Sequence, residues 1–167
     1  MSLLTGKKMK KIMLALLMSS SMVSVAWAEE ALSSGNDFSK GATAYELDYM
    51  LDTFKSASKG KVEITLFKKV SFDADILAMP EVRKSAYMQQ LLDDLVPAKI
   101  TVSEGMMVRS KQGKAYNLYV LDELLEQITN DLKVGDQVTF YGYHAYSSFY
   151  GPGLLMYAYD TKAGVAH

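Results

Sequence analysis

His144 is the one internal histidine of the 167-residue chain, and its sequence neighbours include groups that could assist it in catalysis. Ser147 and Ser148 follow it closely, and Asp160 lies in the next predicted strand. Nucleophilic hydrolases use a serine, a histidine and a carboxylate in this way. The chain has no Gly-x-Ser-x-Gly turn to expose the nucleophile, however, and both serines fall in a predicted loop. We therefore predict no catalytic residue and interpret His144 as a hydrogen-bonded histidine beside a possible ligand surface.

The acidic residues do not indicate a metal site. Asp73 and Asp75, like Asp93 and Asp94, lack the spacing of a calcium-binding loop, and a single internal histidine does not make a histidine-rich zinc site. There is no P-loop and no dinucleotide-binding fingerprint. We predict neither a metal nor a cofactor, and we interpret these carboxylates as solvated.

An aromatic segment, Val138 to Asp160, contains eight tyrosine and phenylalanine residues. Side chains alternate between the two faces of a strand, so two paired strands here would separate an inner set from an outer set. The predicted inner set is Val138, Phe140, Leu154 and Met156. The predicted outer set is Tyr141, Tyr143, Tyr157 and Tyr159.

Two interpretations of the outer tyrosines stay open at this stage. Cross-strand aromatic pairs stabilise a sheet by roughly 0.2–1 kcal/mol each, and an N-terminal helix could cover them. Alternatively, tyrosine offers an apolar face and a polar tip, which suits a flat platform for sugar rings or for a partner protein. The candidate ligand-binding residues are Tyr141, Tyr143, His144, Tyr157 and Tyr159.

The first 28 residues have the pattern of a secretory signal peptide. Four lysines precede the apolar run Ile12–Met18, and the segment ends with Ala26, Trp27 and Ala28. We predict residues 1–28 to be this signal, residues 29–42 a flexible leader, residues 43–160 one globular domain and residues 161–167 a tail. The apolar run is too short to span a membrane, so the predicted location is the bacterial periplasm or the medium.

Charge and cysteine content restrict the range of partners and chemistries further. Cleavage after Ala28 would leave 14 basic and 19 acidic residues, a net charge of −5. Nucleic acid is therefore an improbable partner, although basic residues cluster near Lys68 and Lys111. The chain has no cysteine, which excludes disulfide stapling, thiol catalysis and a lipid-modified cysteine.

Helix signals occur at three places in the predicted domain. Thr43 to Glu46 fits a capping box for a first helix that Gly60 would end. Pro80 suits the first turn of a second helix, which Pro97 would end. Asp122 is a predicted N-cap for a third helix, with its apolar stripe from Leu121 to Leu132.

Five strands fill the intervening segments. They are predicted at residues 61–72, 98–110, 114–121, 133–146 and 154–160, with turns at Gly113 and at Gly135. The sequence therefore predicts a mainly β chain with an N-terminal helix and a helix inserted between the first two strands.

The segment "LKVGDQVTFYG", Leu132–Gly142, resembles bacterial OB-fold domains of the tRNA-anticodon-binding type, in which a helix precedes the fourth strand. The resemblance covers about residues 61–160 and implies a five-stranded barrel. The helix between the first two strands departs from that pattern. A cystatin-like or NTF2-like curved sheet with a packed helix is the alternative α+β fold.

From these features we predict a non-catalytic periplasmic binding module that recognises an envelope protein, a glycan or a small molecule. The alternatives are a small hydrolase or lyase in a cystatin-like or NTF2-like cone, and an inhibitor or assembly subunit. A deep pocket with converging polar groups would favour the enzyme.

The first testable prediction concerns export. We expect expression in a bacterial host to yield an envelope-fraction protein whose N-terminus is Glu29, because the basic, apolar and Ala-x-Ala regions follow in the order that signal peptidase requires. Intact mass spectrometry of the purified protein checks this. A product that still begins at Met1 or Met9 would contradict it.

Overall fold

The computed structural model describes residues 39–82, 86–96 and 99–161. The predicted signal peptide, residues 29–38 of the leader and residues 162–167 of the tail lie outside these ranges. The contacts of the chain divide it into two compact units. All strands belong to the unit that contains Asp37–Gln89 and Thr101–His167, whereas the described part of the other unit comprises residues 90–96 and 99–100.

Five strands form a closed ring in the order β2, β3, β4, β6, β5 and back to β2. All neighbours in the ring are antiparallel except β4 and β6, which are parallel. The strands are β2 (Val62–Val82), β3 (Glu104–Arg109), β4 (Ala115–Val120), β5 (Gln137–Ser148) and β6 (Gly151–Thr161). A two-residue strand, β1 (Thr43–Ala44), pairs with β2 in parallel outside the ring.

Within the described residues, three helices accompany the strands. They are α1 (Leu47–Thr53), α2 (Ala86–Leu95) and α3 (Leu125–Asp131), the last preceded by a single 3-10 turn at Asp122–Leu124. The prediction of a mainly β chain with an N-terminal helix, and with a helix between the first two long strands, is confirmed. The five-strand sheet closes on itself.

The predicted capping box at the start of α1 is wrong. Thr43 lies in β1, where its backbone pairs with β2, and α1 begins only after Glu46. The Glu46 carboxylate accepts a hydrogen bond from the Lys111 ammonium at 2.9 Å and makes no cap bond. A strand partner and a lysine distant in sequence therefore outcompete the local cap.

The predicted starts of the other two helices also shift. Pro80 lies inside β2, between the residue pairs Ala78–Met107 and Glu81–Gly105, where the register with β3 slips. Because proline has no N–H, it fits in a strand at such an irregular position, where it need not donate to the neighbouring strand. The Asp122 carboxylate accepts hydrogen bonds from the Ser103 backbone N–H at 2.7 Å and from the Ser103 hydroxyl at 2.8 Å. It therefore ties the start of α3 to the segment before β3.

An irregular step divides β2 into two parts. Between Ile64 and Lys68, β2 advances four residues while β5 advances only two, so two extra residues bulge from the strand. Leu66 and Phe67 adopt positive φ angles of 53°, a conformation unfavourable for bulky side chains. As a result Leu66 is 82% exposed, whereas Phe67 is buried. The sequence pattern placed apolar residues Val62, Ile64 and Leu66 in one row, and the structure leaves all three exposed.

The interior of the ring holds the predicted inner set. Val138, Phe140, Leu154 and Met156 are all buried in one apolar cluster, to which α1 contributes Leu47, Met50 and Leu51. The rings of Phe72 and Phe140, which are register partners on β2 and β5, lie 5.8 Å apart. The apolar stripe of α1 therefore belongs to the core and does not cover the outer tyrosines.

A buried carboxylate connects α1 to the turn between β3 and β4. Asp48 accepts hydrogen bonds from the Ser110 hydroxyl at 2.6 Å and from the Gln112 backbone N–H at 3.1 Å. Beside it, the Lys114 ammonium lies 2.7 Å from the Asp52 carboxylate. These contacts fix the helix over one end of the ring, and a buried carboxylate without them would be costly.

The second prediction concerns the core. We expect Phe140→Ala to lower the free energy of unfolding by about 3–5 kcal/mol, because the fully buried ring leaves a cavity against Phe72. Val134→Ala removes an exposed side chain from a turn, so this control should change stability by less than about 0.5 kcal/mol. Urea denaturation followed by circular dichroism measures both. Equal losses would show that Phe140 is not a core residue.

Candidate functional site

Three of the predicted ligand-binding tyrosines share the outer face of the ring. The rings of Tyr143 and Tyr157 lie 4.7 Å apart, and the Phe67 ring lies nearly perpendicular to Tyr143 at 6.2 Å. The Tyr141 hydroxyl donates a hydrogen bond to the Asp160 carboxylate at 2.8 Å. Tyr143 is 3% exposed and Tyr157 is 4% exposed, so these rings do not form an open platform.

Tyr159 lies on the opposite face, contrary to the sequence alternation. Tyr141 pairs with Ala158 and Gly142 pairs with Met156, so β6 contains one extra residue, Tyr157, between these pairs. This bulge reverses the alternation, and Tyr159 packs against the core. Its hydroxyl donates to the Asp131 carboxylate at 3.0 Å. Burial and the nearby Asp131 raise the pKa of Tyr159 to about 12.

His144 is buried and does not meet Asp160. Its ring stacks on Phe54, with the two centroids 4.7 Å apart, and its Nε2 lies 3.1 Å from the Ser147 hydroxyl. In the strand register, His144 pairs with Leu154, whereas Asp160 pairs with Thr139. The two positions are five residue steps apart along β5, roughly 17 Å. The serine–histidine–aspartate set considered from sequence is therefore not assembled.

A groove opens where the two parallel strands of the ring are not paired. β4 and β6 pair only at Tyr119–Leu155 and Val120–Met156, so their N-terminal halves have no ladder between them. A cavity of about 250 Å³ lies at this place. We call it the tyrosine groove, and its lining is Tyr116, Asn117, Tyr119, Tyr146, Ser148, Tyr150, Gly151 and Pro152.

Tyr146 is held rigidly across this groove. The register slips once more at Ala145, which brings the Tyr146 ring over Gly153 of β6 so closely that a side chain on Gly153 would collide with it. The Tyr146 hydroxyl lies 3.1 Å from the Tyr119 hydroxyl on β4, and the Tyr87 ring stands perpendicular to it at 5.0 Å. Burial raises the pKa of Tyr146, so its phenol stays protonated at neutral pH.

Asn117 supplies a buried acceptor without a partner in the described part of the chain. Its Oδ1 atom is inaccessible to solvent and makes no hydrogen bond there. The amide lies against Gly105 of β3, where an added Cβ would come within 2.8 Å of Oδ1. An unsatisfied buried acceptor costs roughly 1–3 kcal/mol.

The hairpin turn between β5 and β6 forms one wall of the groove. The Ser148 hydroxyl donates to the Gly151 carbonyl at 2.9 Å and accepts from the Tyr150 N–H at 3.2 Å. Gly151 has a φ of +122°, which only glycine adopts easily. This turn presents Tyr150, whose side chain is 74% exposed, at the mouth of the groove.

The ionisable groups of the groove lining are all phenols. The lining residues include no carboxylate, amine or imidazole, so they offer hydrogen bonding and ring contacts but no acid–base pair. Sequence reasoning missed this site because a bulge at Ala145 and an unpaired seam create it. The "YGPG" turn, Tyr150–Gly153, was the one local signal that could have drawn attention to it.

No protein-family model matches the chain, and no curated protein is similar to it in sequence. Over residues 39–82, 86–96 and 99–161, no helix has the length and apolar character needed to cross a membrane. In those same ranges, no group of three or more histidine, cysteine, aspartate or glutamate residues is placed to hold a metal ion.

The third prediction concerns His144. Burial, with a smaller contribution from Lys68, lowers the pKa of His144 below the value of about 6.5 that it has in an unfolded chain. The unfolded state then binds a proton more readily, so the free energy of unfolding should fall as the pH drops below about 6.5. We expect this slope in urea melts of the native protein down to about pH 5, above the carboxylate range.

His144→Gln is the matched variant, because glutamine retains a polar group near the Ser147 hydroxyl without titrating. The free energy of unfolding of this variant should not change with pH over the same interval, except for any slope that other titrating groups give to both proteins. An identical slope in native and variant proteins would show that another group causes the pH dependence.

Proposed function

We propose that the closed ring is an OB-fold. The OB-fold is a small five-stranded Greek-key barrel. Its ligands bind to the face formed by the second and third strands and to two loops, which join the first strand to the second and the fourth to the fifth. The ring order β2, β3, β4, β6, β5 supports this, since its first strand pairs with both the second and the fourth. α3 between the third and fourth strands supports it further.

The function that we propose is that of a non-catalytic binding module exported to the periplasm. Its ligand would be an envelope protein, a glycan or a small molecule held in the tyrosine groove. The groove combines the third strand of the ring, β4, with the loop between the fourth and fifth, which is the region that OB-folds use for ligands.

The Tyr119–Tyr146 hydroxyl pair in the groove is the observation that carries this proposal. One of the two hydroxyls donates to the other, so one phenolic proton is left for an acceptor of the ligand. The rigid Tyr146 ring supports the same conclusion, since a pre-positioned ring loses little entropy on binding.

The chemistry of the groove favours binding over turnover. Glycoside hydrolysis uses a pair of carboxylates, and acyl transfer uses an activated nucleophile with a base. The groove lining contains tyrosine phenols, and burial raises the pKa of Tyr116 and of Tyr146. Protonated phenols donate hydrogen bonds at neutral pH but are weak general bases.

An assembly subunit is the second candidate, and one observation favours it. Val62, Ile64 and Leu66 are exposed apolar residues on β2, and Leu66 sits in the strained bulge. Exposed apolar patches mark interaction surfaces, and strained backbone positions cluster at functional sites. A stable oligomer that Leu66→Ser dissociates would support this candidate.

The fourth prediction tests the groove as the ligand site. A mixed library of neutral and charged fragments, oligosaccharides and short peptides would be screened by NMR against isotope-labelled protein. We expect chemical-shift changes for the ligands that bind to cluster at Asn117, Tyr119, Tyr146 and Tyr150.

Tyr150→Ala should reduce those changes at a given ligand concentration while altering stability by less than about 0.5 kcal/mol, because the ring is exposed. Tyr49→Ala is the matched control, since Tyr49 is an exposed tyrosine on α1 that does not line the groove. Shift changes that cluster elsewhere, or a library with no binder, would overturn the assignment of the groove.

A further inference from the structure

The tyrosine groove is electrically neutral, and this restricts the chemical class of ligand that it can bind. None of its eight lining residues is acidic or basic. Its two deeply placed phenols remain protonated at neutral pH because burial raises the pKa of Tyr116 and Tyr146. A phosphate or carboxylate entering the groove would lose water without gaining a cation, which is strongly unfavourable.

The hydrogen-bonding groups of the groove include the hydroxyls of Tyr119 and Tyr146. In the Tyr119–Tyr146 hydroxyl pair, one hydroxyl donates to the other, so one phenolic proton stays available for a further acceptor. The complementary ligand carries neighbouring groups that both donate and accept, as sugar hydroxyls do.

The rings and the size of the groove fit a saccharide unit. Tyr150 offers a largely exposed ring at the mouth, and Tyr146 offers a fixed ring inside. Tyrosine faces pack well against apolar C–H surfaces while the phenol tip remains polar. The cavity of about 250 Å³ is slightly below the range of roughly 300–1,000 Å³ typical of drug-sized ligands. The groove therefore suits a single sugar ring, with the adjacent sugars of the chain outside it.

A peptide added as a strand fits this seam less well. Strand addition requires a continuous row of N–H and C=O groups on the receiving strand. Pro152 lies in the part of β6 that pairs with β5 but not with β4, and it has no N–H to contribute. The Tyr146 ring lies over Gly153, the next residue.

We propose that the tyrosine groove binds an uncharged oligosaccharide, with one sugar ring stacked against Tyr150 and a sugar oxygen accepting the available phenolic proton of the Tyr119–Tyr146 pair. This rests on the proposed function, because it assigns a ligand class to the same groove. The chain binds this glycan without cleaving it.

The fifth prediction tests the ligand class with defined probes. Cellotriose, maltotriose and the trisaccharide of N-acetylglucosamine represent neutral glycans, and trigalacturonate represents an anionic one. Oligothymidylate and an uncharged, end-blocked tetrapeptide represent the other classes. Calorimetry and saturation-transfer NMR should detect binding of at least one neutral glycan and no binding of trigalacturonate or oligothymidylate.

Salt and matched variants make the test specific. Affinity for the neutral glycan should be unchanged between about 50 and 500 mM NaCl, because no ion pair is screened. Tyr150→Ala should weaken binding about tenfold, whereas Tyr150→Phe should retain it, because the ring supplies the contact. Tyr119→Phe should weaken binding up to about tenfold, the effect of one neutral hydrogen bond.

The outcomes separate the two proposals. Binding of the tetrapeptide at the groove, with no neutral glycan bound, would overturn the glycan assignment and leave the groove as a ligand site. Glycan binding that Tyr150→Ala and Tyr119→Phe leave unchanged would place the glycan elsewhere and overturn both proposals. Preferential binding of trigalacturonate would also overturn the neutral-ligand assignment.

Discussion

Closure of the ring through the pairing of β2 with β5 is the constraint on which the rest of the structure depends. β2 pairs with β5 from Val62 to Asp75 and with β3 from Asp75 to Val82, so one long strand serves both neighbours. With that side of the ring extensively paired, the parallel seam between β4 and β6 carries only two residue pairs. The tyrosine groove is the unpaired remainder of this seam.

Local alternation predicted the core of the ring but not the faces of all its tyrosines. Val138, Phe140, Leu154 and Met156 are inner residues because the strand segments that carry them keep a strict two-residue period. Tyr146 and Tyr159 fall just beyond single-residue bulges, and each bulge reverses the period. Nothing in the local sequence marks where a bulge occurs, since it depends on the partner strand.

Helix existence was predictable, whereas helix starts were not. The apolar spacing of Met50, Ile128 and their neighbours reflects one buried face, which any packing of the helix must satisfy. Capping signals are weaker, about 1 kcal/mol, and tertiary partners can take over the same side chains. Asp122 illustrates this, because it binds Ser103 from another segment instead of capping its own helix.

The groove depends on two missing side chains as much as on the aromatic residues present. Gly153 lets the Tyr146 ring lie flat over β6, and Gly105 lets the Asn117 amide lie flat over β3. Both glycines lie within strands, where glycine is unfavourable relative to alanine by roughly 0.5–1 kcal/mol. These two glycines and the unsatisfied Oδ1 of Asn117 lower stability at the seam and beside it. The proposed glycan site requires the space that the unpaired part of the seam retains.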